Sequence, residues 1–96
     1  MFDYAKQKPV HEYIAYFEDR KGSIAVYDEG IVLKMGRAET PVRFGYVQSI
    51  EKTAGAAVLG KIGVKVVYFS LFGNREEVDA KMREADCTAL KQDAGK

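Results

Sequence analysis

Ninety-six residues, 47% apolar and 30% charged, fit one folded domain with a single modest core and exclude a disordered chain. A formal charge of +1 excludes a global attraction to nucleic acid or to an anionic membrane surface. One cysteine, Cys87, excludes an internal disulfide, and no stretch approaches the roughly 18 apolar residues of a membrane span, so the reading is a soluble cytoplasmic protein.

The opening MFDYAKQKPV carries Asp3 and no apolar run, unlike a signal peptide, and residues 1–9 read as an N-terminal extension. Val10 to Glu18 alternates, with Tyr13, Ala15 and Phe17 on one face and Ile14 and Tyr16 on the other, as a half-buried strand does. Arg20-Lys21-Gly22-Ser23 reads as the next turn, with Gly22 free to take positive φ. Ile24–Tyr27 and Ile31–Met35 are β-branched runs about Asp28-Glu29-Gly30, a compact hairpin signal. Gly36 to Pro41 ends that hairpin. Val42 to Thr53 is mixed, because Val47 and Ile50 stand three apart, as in a helical turn. Val64 to Phe72 is apolar on both faces and reads as a central strand.

The last segment changes period. Val78, Met82, Ala85 and Ala89 follow a helical stripe, and Asn74 with Glu77 resembles a capping box. Residues 74–91 are therefore expected as one C-terminal helix, 92–96 as a frayed tail, and 10–73 as a β-sheet or partly open barrel. The whole is one α+β domain.

Gly55, Gly60 and Lys61 have the spacing of a phosphate-binding loop, but the pattern fails in context. The position after the lysine is Ile62, which offers no hydroxyl to a magnesium ion, and a β run follows where a helix is needed. The stretch reads as a Gly/Ala connection between strands, or as an apolar tip at residues 55–60. His11 is the lone histidine, with Cys87 far away in sequence, so no metal cluster and no Cys/His pair is legible. Cys87 between Ala85 and Ala89 reads as a packing residue. Acidic pairs at 18–19 and 28–29 sit in turns. No nucleophile, base and orienter stand at recognisable spacing, so no enzyme and no cofactor is expected. Single-stranded nucleic-acid binding would need exposed aromatics beside a basic groove. Tyr13, Tyr16, Phe17, Phe44, Tyr46, Tyr68, Phe69 and Phe72 are better explained by core and cross-strand packing.

Three stretches carry a family resemblance. GSIAVYDEGIVLKM resembles the strand–turn–strand of pleckstrin-homology-like (PH/GRAM-like and prokaryotic PH-like) domains. PVRFGYVQSIEK resembles their strand, short turn and next strand, and VVYFSLFGNREEVDAKM their last strand entering the closing helix. The likeness spans roughly residues 11 to 91. It implies an antiparallel, bent sheet or partly open barrel of five to seven strands closed by one C-terminal helix. It also implies a binding or adaptor role toward a protein or peptide partner, with an anionic ligand or phosphoinositide head group as the alternative. The chain has no tryptophan, which PH domains usually carry in the closing helix, and only Arg20 and Lys21 at the first hairpin turn. Oligomeric state, homo-oligomers included, stays open.

In a meander, alternate connections lie at the same end of the sheet. The turns at 20–23, 36–40 and 73–75 would thus gather Arg20, Lys21, Arg37 and Arg75 near the positive end of the expected helix. Asp19, Glu39, Glu76 and Glu77 fall at that end too. The expected ligand there is an acidic peptide or a phosphorylated head group.

Overall fold

The computed structural model of the chain describes residues 2–53 and 59–96. Within them run β1 (His11–Phe17), β2 (Arg20–Val26), β3 (Gly30–Met35), β4 (Ala38–Arg43), β5 (Val47–Lys52), β6 (Lys61–Phe69) and β7 (Arg75–Arg83), followed by α1 (Glu84–Ala94). The seven strands form one antiparallel sheet of order β4-β3-β2-β1-β7-β6-β5. β4 and β5 are its two edges, so the sheet is α+β in the expected manner but does not close into a barrel. Ile24 and Leu33 of one wing share a single core with Val47, Ile50, Val66 and Met82 of the other, so the sheet bends around its apolar face. Cys87, Leu90 and Ala94 of α1 cover that core. Ile24–Val26 of β2 and residues 30–33 of β3 are buried on both faces, because Phe2 and Tyr4 of the N-terminal segment pack against Ala25, Tyr27 and Val32 from outside. That second cover is why IVL in β3 reads as an unbroken apolar run.

The first hairpin turns earlier than expected. Phe17 pairs with Arg20, which leaves Glu18 and Asp19 as a two-residue loop with φ of +51° and +67°. Two positive φ values give a type I′ turn, whose twist matches the flanking strands. Gly22 lies within β2, not in a turn, and its missing side chain serves close approach: a Cβ there would stand 2.2 Å from the Lys34 carbonyl oxygen. Between β3 and β4 the loop is Gly36-Arg37, with Gly36 at φ +62°. Pro41 sits in the edge strand β4, where a missing N–H costs no ladder bond on the open side.

The ambiguous stretch 42–53 resolves as β4, a short 3-10 turn at Phe44–Tyr46, and β5. Val47 pairs with Tyr68 and Ser49 with Val67, so Gln48 is an extra residue in a β-bulge. One inserted residue lets Val47 and Ile50, three apart, both point into the core.

The expected helix from residue 74 is corrected. Residues 75–83 are strand β7, and the helix starts at Glu84. The run Glu77-Val78-Asp79-Ala80-Lys81-Met82-Arg83 alternates polar and apolar, and an i, i+4 pair such as Val78 and Met82 shares one face of a strand as well as of a helix. Nine register pairs with β6 decide between the two. Asn74 does not cap a helix; its N–H donates to Ser70 Oγ in the β6–β7 turn. Glu77 engages Lys65 and Arg75, not Lys81. Nor does the tail fray before residue 95: Ala94 is buried, and Gly95 takes φ +71° while its N–H donates to the Gln92 carbonyl.

Candidate functional site

The seam of the sheet lies between β1 and β7. β7 pairs with β6 along its whole length, from Lys61↔Arg83 to Phe69↔Arg75, but with β1 only at Tyr16↔Lys81. One residue later β1 ends, and the Glu18-Asp19 turn carries the chain away into β2. Among the described residues, β7 from Arg75 to Ala80 therefore has no strand partner on its β1 side. At this parting of the two wings opens a groove of about 1000 Å³.

The alternation of β7 divides the groove chemically. Val78 and Ala80 point inward and, with Phe17, Met35 and Val64, make an apolar floor. Glu18, Asp19, Glu77 and Asp79 bring four carboxylates to the walls, against two cations, Arg20 and Lys81. Glu77 is engaged by Lys65 at 3.1 Å and by Arg75, and hydrogen bonds from these two hold its carboxyl below the usual range. Glu18, Asp19 and Asp79 take part in none of the ion pairs of the described residues. At one end the Lys61 ammonium lies 4.7 Å from the centre of the Tyr16 ring.

The structure sorts the four residues expected to share a basic end. Arg20 lines the groove. Arg37 stands in the β3–β4 turn next to Gly36, which also lines it. Lys21, on β2, pairs with Tyr16 of β1 and does not line the groove. Arg75 opens β7 opposite Phe69, outside the lining, with its guanidinium on Glu77. The positive end of the helix lies at Glu84, which pairs with Lys52, so it does not face Arg75 as an early helix would. Asp79, Val78 and Ala80 were not among the candidates; the signal for them was the two-residue alternation of 77–83.

Elsewhere α1 is tied down by polar contacts. His11 Nδ1 lies 3.0 Å from Asp93 Oδ2, and the Tyr13 hydroxyl donates to the same oxygen at 2.7 Å. Burial, then that hydrogen bond, pushes the Tyr13 hydroxyl up to about 12. Cys87 is buried against the core, which raises its thiol above the ordinary value. Among the described residues no group of three or more His, Cys, Asp or Glu side chains is placed to hold a metal ion, and no helix is long and apolar enough to cross a membrane. Gly60 and Lys61 stand in a turn and at the start of β6, so no helix follows the lysine; Gly55 and most of the suggested 55–60 tip lie outside the described residues.

Three aromatics expected in packing are exposed: Phe72, 90% exposed in the β6–β7 turn beside the exposed Leu71, and, with smaller faces, Phe69 and Tyr46. A comparison with known protein families finds no family model that matches the sequence, and a comparison with curated proteins finds no significant match.

Proposed function

We propose that the chain is a non-enzymatic binding module, PH-like in build, that engages a protein or peptide partner at the groove between β1 and β7. The observation that carries this reading is the half-paired seam: among the described residues, a strand edge without a strand partner over residues 75–80, above an apolar floor and beneath acidic walls. Open strand edges bind extended chains through main-chain hydrogen bonds, while flanking pockets give selectivity. The PH-like build is supported by a four-stranded meander, β1–β4, joined through β1 and β7 to a three-stranded one, β5–β7, and by the single helix that follows the last strand. The charge of the walls favours a cationic partner over a phosphoinositide, since beside Arg20 and Lys81 stand Glu18, Asp19 and Asp79, outside the ion pairs of the described residues, and Glu77, already held by Lys65 and Arg75.

The experiment is recovery of the partner from the native cell with the tagged parent and with Glu18→Lys/Asp79→Lys, then reconstitution from purified components. The reading expects the parent to hold the partner and the double variant, folded by circular dichroism, to lose most of it. Equal binding by both reconstituted pairs would remove the groove as the site.

A further inference from the structure

We infer that the groove takes an extended peptide with alternating basic and apolar side chains, added as a strand along the open edge of β7. The inference rests on the reading of the chain as a partner-binding module and specifies that partner's chemistry. Three features fix the occupant. The first is the edge: β7 from Arg75 to Ala80 spans six residues, roughly 20 Å of strand at about 3.4 Å each. Alternate residues of an antiparallel strand direct both N–H and C=O to the same side, so half of these residues address the β1 side, where no strand of the described chain meets them.

The second is the two-residue period. Neighbouring strands place directly opposed side chains on the same face. An added strand would therefore set every second side chain over Val78 and Ala80, toward Phe17 and Val64, and the intervening ones beside Glu77 and Asp79. The third is charge. Asp79 on one wall and Glu18 and Asp19 on the other have no cation within ion-pair distance among the described residues, whereas Glu77 is already engaged. Cationic side chains on the outer positions meet exposed carboxylates that hold no ion pair among the described residues; acidic ones would meet repulsion. Lys81 marks the end of the open edge, because its place on that side is taken by Tyr16 of β1.

The test uses a labelled six-residue peptide of alternating lysine and valine, titrated into the full chain by fluorescence anisotropy and by amide shifts on β7 at up to millimolar peptide. Comparison peptides carry the same residues in two blocks, glutamate in place of lysine, or N-methyl groups on the backbone amides of one edge. The expected order is the alternating peptide tightest, by roughly tenfold over the block peptide. Binding should weaken with added salt, as expected for partly exposed charges. Asp79→Lys should abolish the preference for lysine over glutamate. Equal binding of alternating and block peptides, or no loss on N-methylation of either edge, overturns strand addition. If the reconstituted natural partner is lost from the groove variant while no alternating peptide shifts β7, this inference fails and the binding-module reading stands. If the partner ignores the groove variant, the broader reading fails first.

Discussion

Glu18 and Asp19 occupy backbone conformations that asparagine and glycine adopt at less cost, at φ of +51° and +67°. A side chain with a Cβ in the left-handed region costs about 1–2 kcal/mol, less for a short polar residue such as aspartate. Replacing the pair by the residues that a type I′ turn prefers, Glu18→Asn with Asp19→Gly, should therefore stabilise the fold by about 1–2 kcal/mol. Phe17↔Arg20 stays paired in either sequence, so no contact of the core is altered. For a domain of this size that gain raises Tm by roughly 5–10 °C. The assay is thermal melting by circular dichroism with calorimetry on the same samples. The same variant removes two carboxylates from the groove wall, so peptide and partner binding should fall as stability rises, the exchange expected where strain is kept for function. A Tm unchanged or lowered would refute the turn geometry, and unchanged partner binding would refute the role of its carboxylates.

Met82→Ala should cost about 2–5 kcal/mol, since Met82 is 1% exposed in the core on β7, and urea unfolding would measure it. Gly22→Ala should destabilise and broaden the amide spectrum of β2 and β3, because the new methyl group meets the Lys34 carbonyl at 2.2 Å. Tyr13 has a folded-state pKa above its unfolded value near 10, so its contribution is complete below pH 10 and is lost as pH rises toward about 12. Melting temperatures across that window should fall more for the parent than for Tyr13→Phe. Cys87, buried with a raised thiol pKa, should react with a thiol reagent only in denaturant.

Much of the sheet was legible because burial wrote alternation into it. Ala15 and Phe17 against Ile14, and the apolar runs about Asp28-Glu29-Gly30, gave β1, β3 and the second half of β2, whereas the exposed first half, Arg20 to Ser23, read as a turn because no apolar face marks it. The β5 face was obscured by Gln48, since one bulged residue turns a two-residue period into a spacing of three. At β7 two periods competed: Val78 and Met82 satisfy both, and only Ala80 between them marks a strand. The acidic residues Glu76 and Glu77 suggested a helix start, but long-range pairing with β6 outweighs local preference. That single difference moved the candidate site. With 75–83 as strand, Arg75 leaves the expected basic end, and Glu77 and Asp79 become the wall of a groove. Phe72 was misplaced because a turn at residues 71–73 ends the apolar run that a pattern alone would extend.

The groove can take an added strand only if β7 is itself a strand whose edge toward β1 is left open by the described residues. Backbone amide hydrogen exchange across residues 75–83, measured by NMR without and with the alternating lysine–valine peptide, tests this directly. The prediction is alternation: in the free chain, amides directed at β6 are protected, and those directed at the β1 side between residues 76 and 80 exchange quickly. Addition of the peptide should slow that second set alone. Continuous protection from 77 onward in the free chain, as a helix or a fully paired strand gives, or a second set indifferent to the peptide, would contradict it.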